Sequence, residues 1–220
     1  MKFPILTPEQ FLEWEHKDGI ACDIDETLAW TVRDWVYHLS MQFGNPDNLS
    51  PEDAVLKYGH SSFFPAYWQT PECKQWMQER IMDNEFQKWI TPVPWAQEMT
   101  ESVRNRIAVY ITIRPEIVGT WTQEYLTSNG FPNAPIILRP DTIVHSDGNK
   151  WKAEILHMLH PKIRWIVDDN RKLVHHLLPE YQWKVYVFWY SGNEYNDHPN
   201  AIACKDWETT CSYIEQHDII

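Results

Sequence analysis

Two carboxylates with a hydroxyl beside them mark the part of the sequence best suited to chemistry. Asp23, Asp25 and Thr27 occupy alternate positions directly after the apolar residues 20–22. Two acids this close together repel each other unless a cation lies between them. Mg²⁺ prefers one or two carboxylates together with phosphate oxygens and water. The spacing therefore predicts a magnesium site that acts on a phosphorylated molecule.

Further polar groups follow other apolar runs of the chain. Thr112 ends one run, Asp168 and Asp169 end another, and Lys150 and Lys152 lie in a helical pattern between them. Open α/β sheets bind their ligands just beyond the carboxyl ends of parallel strands. We therefore expect a hydroxyl, an ammonium and two pairs of acids to meet at one edge of a sheet.

Apolar runs that alternate with helical patterns predict the elements that carry these groups. A parallel strand covered on both faces needs nearly continuous apolar residues, and several short runs have this property. Strands that alternate with helices imply βαβ units and a mostly parallel sheet, which is an α/β fold. The predicted strands are residues 20–22, 107–112, 135–138, 163–167 and 184–189.

The stretch between the first two predicted strands has helical patterns only. Helix starts are predicted at Thr7, Ser50 and Thr70, because each is a capping hydroxyl followed by Pro and Glu. The first of these precedes the acidic strand, and the other two lie in the helical stretch. The predicted division is an α/β core of residues 1–29 and 91–220 with an inserted helical lobe of residues 30–90.

Composition argues against several classes of protein. With 220 residues and 43% hydrophobic content, the chain can bury a sizeable core and is not a disordered protein. The formal net charge of −12 disfavours binding to duplex nucleic acid, whose phosphates repel an acidic surface. Four cysteines without metal-binding spacing indicate a reduced, cytoplasmic protein. No apolar run has the length of a membrane span or the form of a signal peptide, so no membrane partner is expected.

The order of the motifs resembles the haloacid dehalogenase (HAD) superfamily, and in particular its phosphatases with a DxDxT motif. The motif of residues 23–27 is followed by Thr112, then by Lys150 or Lys152, and then by the acid pair at residues 168–169. The resemblance implies a doubly wound parallel sheet, a HAD-like Rossmann-type core, with an inserted helical cap.

The resemblance also implies separate roles for the first two acids. Asp23 is expected to attack phosphorus and form an aspartyl-phosphate. Asp25 is expected to protonate the leaving oxygen and then to deprotonate the hydrolytic water. This division requires unequal environments, with Asp23 ionised on the metal and the pKa of Asp25 raised toward neutrality.

The remaining motif residues are expected to hold the metal and the phosphate. The resemblance assigns Mg²⁺ to the Asp23 carboxylate, the Asp25 backbone carbonyl and Asp168, with Asp169 assisting directly or through water. It assigns the phosphoryl oxygens to Thr112 and a lysine. Lys152 is favoured over Lys150 because of its place in the following helix. The expected role of Thr27 is to order the loop by hydrogen bonding, so that backbone N–H groups face the phosphate.

Four further residues are candidates for contact with the substrate. Arg114 reaches either the substrate or a local acid. Phe63, Phe64 and Trp68 lie in or beside a loop of the helical stretch, where they could stack on a nucleobase or sugar. The alternative is that these aromatic rings fill the interior of the lobe, as the helical spacing of Trp35 indicates for that residue.

The expected function is Mg²⁺-dependent hydrolysis of a phosphate monoester. A small phosphorylated metabolite such as a nucleotide is favoured, because the predicted cap is of the helical type and carries aromatic residues in a loop. Residues 86–94 and 111–115 are also most similar to the 5′(3′)-nucleotidase branch of the superfamily. A sugar phosphate and the 3′-phosphate end of a nucleic acid are alternatives. A receiver-like phospho-acceptor module and a catalytically silent binding protein are alternatives of another class. Dehalogenation is disfavoured, because a halide leaving group needs no proton from an acid at the position of Asp25.

Overall fold

A six-stranded parallel sheet forms the centre of the described chain. A computed structural model describes residues 3–14, 18–58, 61–178, 184–188 and 201–216. The strands within these residues are β1 (Gly19–Cys22), β2 (Ile107–Pro115), β3 (Ile136–Arg139), β4 (Ile163–Asp168), β5 (Lys184–Phe188) and β6 (Ala201–Cys204). Their order is β3-β2-β1-β4-β5-β6, and every neighbouring pair is parallel. The predicted α/β class is therefore confirmed.

Besides shifts of one residue at the ends of β1, β3 and β4, the strands differ from the sequence prediction in three ways. The four residues of β6 form a strand that the sequence pattern did not predict. β2 continues three residues past Thr112, so Thr112 lies within the strand and not at its end. Trp189, predicted as the last residue of the fifth strand, lies outside the described residues.

Ten α-helices lie within the described residues. They are α1 (Pro8–Glu13), α2 (Thr31–Phe43), α3 (Pro51–Tyr58), α4 (Pro71–Ile81), α5 (Asn84–Lys88), α6 (Ala96–Ser102), α7 (Gly119–Ser128), α8 (Gly148–Leu159), α9 (Lys172–His176) and α10 (Trp207–Gln216). In the described ranges, no helix is both long and apolar enough to cross a lipid bilayer.

Side chains that cap backbone groups set several helix boundaries. The Thr7 hydroxyl accepts a hydrogen bond from the Gln10 N–H, and the Thr70 hydroxyl accepts one from the Cys73 N–H, as their sequence context predicts. The pattern of residues 70–89 predicts one long helix, but the chain forms α4 and α5 instead. The Asp83 carboxylate accepts a hydrogen bond from the Phe86 N–H and so starts a new helix after α4.

Two buried clusters cover the opposite faces of the sheet. Ile20 and Cys22 pack in one cluster with residues of α6, α7 and α10, whereas Ala21 packs in the other with residues of α1, α8 and α9. Alternate residues of a strand point to opposite faces, so this division means that helices flank the sheet on both sides. The strands are accordingly mostly apolar, and polar residues such as Thr112 and Asp168 lie toward their carboxyl ends.

The helices between β1 and β2 have an interior of their own. We call residues 31–88, which include α2 to α5, the helical segment. Its buried residues form a third cluster, which includes Val36, Leu39, Phe64 and Trp68. The chain enters and leaves this segment at adjacent positions, because the Trp30 N–H donates a 2.7 Å hydrogen bond to the Thr91 carbonyl oxygen.

A close approach between α8 and β2 places the start of α8 near the carboxyl ends of the strands. A Cβ atom at Gly148 would lie 2.9 Å from the Ile113 side chain, so only glycine permits this approach without a shift of its neighbours. Lys152, Ile155 and Leu156 follow at the spacing of one helix face, and all three are buried. Lys152 is therefore the charged member of an otherwise apolar stripe, nearest the carboxyl ends of the strands.

Candidate functional site

Asp23 and Asp168 come together because β1 and β4 are neighbours. The parallel register pairs Cys22 with Val167, and the Asp23 N–H donates a 2.9 Å hydrogen bond to the Val167 carbonyl oxygen. The next residues along each strand are then side by side. In this strand order the chain reverses direction across the sheet at β1 and β4, which is the position where open α/β sheets bind ligands.

Three carboxylates share one ammonium at this position. One oxygen atom from each of Asp23, Asp168 and Asp169 lies within 4.8 Å of the others. The Lys152 Nζ atom donates 2.7 Å hydrogen bonds to Asp23 Oδ1 and to Asp168 Oδ2. Asp23, Asp168 and Lys152 are buried. We call these four residues the Lys152 cluster.

The charges of the Lys152 cluster are out of balance. Burial raises the pKa of Asp23 to about 7, and the neighbouring Asp168 adds to this effect while Lys152 opposes it. Burial also raises the pKa of Asp169 well above its usual range, with Asp168 again contributing. Added positive charge at this position would favour the ionised forms of both acids.

The donor set of the cluster fits a hard divalent cation. Within the described residues, no hydrogen bond is donated to Asp23 Oδ2 or to the Asp169 carboxylate, whereas Asp168 Oδ1 accepts one from the Asn170 N–H at 2.8 Å. Carboxylate oxygens are the ligands that Mg²⁺, Ca²⁺ and Mn²⁺ prefer. The cluster therefore has oxygen atoms in reserve for a metal ion, in addition to those that Lys152 engages.

Asp25 has a partner of its own. Arg114 binds its carboxylate with two hydrogen bonds, from Nε at 2.9 Å and from Nη2 at 2.7 Å, and the Thr31 hydroxyl donates a third at 2.5 Å. We call Asp25 and Arg114 the Asp25 pair. Arg114 is near the end of β2, so the pair links the carboxyl ends of β1 and β2.

The expected order of the two pKa values is reversed in this structure. Burial raises the pKa of Asp25, but the charge and hydrogen bonds of Arg114, with the bond from Thr31, outweigh it, so the pKa lies below its usual range. The sequence predicted a raised pKa for Asp25 and an ionised Asp23. That prediction took a metal on Asp23 as given and left the contact of Arg114 open between the substrate and a local acid.

One cavity joins the Lys152 cluster and the Asp25 pair. Its volume is about 140 Å³. The helical segment forms one side of it, and the ends of β1, β2 and β4 with the start of α8 form the other. The lining residues are Asp23, Asp25, Glu26, Thr31, Val32, Trp35, Ser61, Ile81, Gln87, Ile113, Arg114, Pro115, His145, Asn149, Lys152, Asp169 and Asn170.

The two candidate lysines lie in different environments. Lys152 is buried and contacts two acids of the cluster, whereas Lys150 is exposed and does not line the cavity. The structure therefore places Lys152, and not Lys150, beside the acids of the candidate site.

The two candidate threonines are buried away from the cavity. Thr112 does not line it, and its hydroxyl oxygen accepts a 3.2 Å hydrogen bond from the Arg114 N–H. The Thr27 hydroxyl makes no hydrogen bond within the described residues, although hydrogen bonding was its expected role. The loop is instead fixed by Glu26, which has a φ of 59° and accepts a 2.6 Å hydrogen bond from the Val32 N–H.

The three candidate aromatic residues do not contact the cavity. Phe64 packs edge-on against Trp68, whose indole N–H donates to the Gly44 carbonyl oxygen inside the helical segment. Phe63 is exposed. The interior alternative therefore holds for Phe64 and Trp68, and Trp35 is the aromatic residue that lines the cavity.

Other lining residues were not predicted from the sequence. Glu26, Gln87, His145 and Asn149 come from four separate parts of the chain, and none follows a strand in the pattern that identified Asp23 and Asp168. Two of the four had a signal in the sequence, because Glu26 lies inside the motif of residues 23–27 and Asn149 directly precedes Lys150.

Comparison of the sequence with models of protein families and with curated proteins finds no match.

Proposed function

We propose that this chain is a Mg²⁺-dependent phosphate-monoester hydrolase of the HAD type, which forms an aspartyl-phosphate on Asp23. The observation that carries the proposal is the Lys152 cluster itself. A buried carboxylate, an ammonium and two further acids meet at the junction of β1 and β4, and Asp23, Lys152 and Asp169 line a cavity there. These are the groups that phosphoryl transfer through a carboxylate requires.

Asp23, Asp168 and Asp169 would hold the metal ion. Bound Mg²⁺ supplies positive charge to the phosphoryl oxygens and keeps acids in its coordination sphere ionised. The raised pKa values of Asp23 and Asp169 support this assignment, because they mark a position that lacks positive charge.

Asp23 and Lys152 would carry the transfer step. An ionised Asp23 oxygen attacks phosphorus, and the bond between phosphorus and the leaving oxygen breaks. Lys152, already within 2.7 Å of Asp23 Oδ1, is in reach of the phosphoryl oxygens and stabilises their charge as it redistributes. Attack of water on phosphorus then releases inorganic phosphate and restores the Asp23 carboxylate.

Asp25 would move the proton in both steps, provided that its pairing changes. As an acid it protonates the leaving oxygen, and as a base it takes a proton from the attacking water. Its contacts with Arg114 and Thr31 keep it ionised in this structure. The acid step therefore requires Arg114 to exchange Asp25 for another anion, and a substrate phosphoryl group beside it can act as that anion.

The helical segment would act as the cap of the enzyme. It has its own interior, and the chain enters and leaves it at adjacent positions. It also contributes Trp35, Ser61 and Gln87 to the cavity wall. A lobe attached in this way can close over a substrate and exclude water from the site.

A receiver-like phospho-acceptor module is the less favoured function. Receivers have the flavodoxin-like strand order, whereas this sheet has the order β3-β2-β1-β4-β5-β6 with helices inserted after β1. The two functions also predict different stoichiometry. A receiver accepts one phosphoryl group per chain, and a hydrolase releases many equivalents of phosphate.

Phosphate release from p-nitrophenyl phosphate tests the proposal. We expect many turnovers with MgCl₂, none with EDTA, and a loss of at least ~10³-fold in kcat for Asp23→Asn, because the nucleophile is removed. Asp18→Asn is the matched control, since Asp18 is exposed and lies outside the cavity. Activity of Asp23→Asn equal to that of Asp18→Asn would exclude the proposed mechanism.

A further inference from the structure

The side of the cavity formed by the helical segment is uncharged. Among the described residues, this segment contributes Thr31, Val32, Trp35, Ser61, Ile81 and Gln87 to the lining. Three of these side chains are apolar and three are neutral and polar. In contrast, the charged lining residues all come from the ends of the strands, the loop after β1 and α8.

The cations that line the cavity are already engaged. Lys152 contacts two carboxylates, and Arg114 binds Asp25 through two nitrogen atoms. Burial and the charge of Arg139 lower the pKa of His145, which disfavours its charged form. Among the described lining residues, Lys152 and Arg114 are therefore the cations that would interact with the phosphoryl group of a substrate.

The arginines of the helical segment are also paired. Arg33 contacts Asp34 and Glu52, and Arg80 contacts Asp83 at 2.5 Å. None of these residues lines the cavity. An anionic group on the leaving side of a substrate would thus lie beside an apolar wall and the acid Glu26, with no described cation free to pair with it. Burying an unpaired charge in such a place is strongly unfavourable.

Two residues of the wall each have a buried polar atom without a hydrogen-bond partner among the described residues. The Trp35 indole N–H and Gln87 Oε1 have no hydrogen-bond partner within the described residues. The orientation of the Gln87 amide is fixed, because its nitrogen donates to the carbonyl oxygens of Arg80 and Ile81. A hydroxyl or amide group of a ligand could form a hydrogen bond with such a donor or acceptor without adding a charge to the cavity.

We propose that the cavity selects phosphate monoesters whose leaving group is uncharged and partly apolar, and rejects leaving groups that carry a second anion. This inference rests on the proposed hydrolase function and specifies its substrate class. Its structural basis is the uncharged wall of Val32, Trp35, Ile81 and Gln87 opposite the charged strand ends.

A matched pair of substrates tests the selection on the unmodified protein. The pair is 4-(carbamoylmethyl)phenyl phosphate and 4-(carboxymethyl)phenyl phosphate, which have nearly the same shape and differ by one negative charge. We expect kcat/KM to be at least about tenfold higher for the amide, because like charges in a contact region disfavour binding. Equal values, or a higher value for the carboxylate, would overturn the inference.

Phenyl phosphate separates this inference from the proposed function. Hydrolysis of phenyl phosphate without discrimination between the matched pair would leave the function standing and overturn the selection. If the protein hydrolysed none of these three phosphate esters, both the proposed function and the proposed selection would be overturned.

A charge placed on the wall should change the selection. Ile81 ends α4, where a lysine is compatible with the helix dipole. We expect Ile81→Lys to raise kcat/KM for the carboxylate relative to the amide by at least about fivefold, since it supplies the missing cation. Ile81→Gln is the matched control, with a neutral side chain of similar length, and should leave the ratio unchanged. An unchanged ratio in Ile81→Lys would mean that this wall does not face the leaving group, and would also overturn the inference.

Discussion

The Lys152 cluster and the Asp25 pair lie in the same cavity but balance their charges differently. In the cluster three carboxylates share one ammonium, whereas in the pair one carboxylate has one guanidinium. The pKa of Asp23 is accordingly raised to about 7, and that of Asp25 is lowered. The comparison shows which acid is ready for an added cation and which has its cation already.

The two cations suit these different tasks. The ammonium of lysine is a compact charge with three donors, so Lys152 can bridge carboxylates from two strands. The planar guanidinium of Arg114 matches both oxygens of a single carboxylate, and the same geometry would match two oxygens of a phosphoryl group. Lysine thus leaves the cluster open to a metal, whereas arginine completes its pair.

Removal of Lys152 should have the largest effect on this contrast. We expect Lys152→Met to lower the free energy of unfolding by about 3–5 kcal/mol in EDTA, because the buried acids Asp23 and Asp168 lose the one cation that contacts them among the described residues. MgCl₂ should raise the melting temperature of this variant more than that of the parent, since the metal replaces the lost charge. Thermal unfolding monitored by circular dichroism measures both effects.

Lys150→Met is the matched control for that experiment. Lys150 belongs to the same helix but is exposed, so its replacement should change the free energy of unfolding by less than about 0.5 kcal/mol. If the two variants lost similar stability in EDTA, the Lys152 cluster would not be short of positive charge as described.

The pH dependence of stability should separate Asp23 from Asp25. The pKa of Asp23 is raised in the folded chain, from 3.8 to about 7, so the folded state binds its proton more tightly than the unfolded state. This contribution to stability is complete below pH 4 and is lost as the pH rises toward 7. Without divalent cations we expect it to reduce the free energy of unfolding by about 1 kcal/mol per pH unit between pH 5 and pH 7.

Comparison with Asp23→Asn isolates the contribution of Asp23. Urea unfolding of both proteins in EDTA, at intervals between pH 5 and pH 7, gives the difference in slope. In Asp23→Asn, the free energy of unfolding should fall less steeply with pH, because the contribution of Asp23 is absent. Saturating MgCl₂ should likewise make the fall less steep in the parent protein, because bound Mg²⁺ keeps Asp23 ionised. Identical slopes in EDTA would contradict the raised pKa.

The sequence predicted the cluster because its members obey local rules. Asp23 and Asp168 each follow an apolar run, and parallel strands end at the same sheet edge. The preference for Lys152 over Lys150 came from its place in the following helix, and the structure adds that Lys152 starts a stripe of buried residues that continues with Ile155 and Leu156. Strand ends and the order of the motifs were therefore sufficient to predict this part of the candidate site.

The Asp25 pair and the cavity wall depend on contacts that periodicity does not encode. Arg114 reaches Asp25 because β2 continues past Thr112, and residue patterns define the ends of strands poorly. Phe64 and Trp68 lie in short turns whose sequence is compatible with either exposure or burial. Their burial follows from tertiary packing within the helical segment. The position of Trp35 in the cavity lining likewise depends on tertiary contacts and not on the local sequence.

Loss of the Thr31 hydroxyl should have the smallest effect and tests how complete the Asp25 pair is. Thr31→Val removes the 2.5 Å hydrogen bond to Asp25 but leaves both bonds from Arg114. We expect a loss of about 1 kcal/mol in the free energy of unfolding, as for one hydrogen bond between side chains. Thr127→Val is the control, because Thr127 is exposed in α7 and its hydroxyl bonds only within the helix. Urea denaturation compares the two variants. A loss for Thr31→Val as large as that for Lys152→Met would mean that Arg114 alone does not balance Asp25, and the contrast between the two regions would disappear.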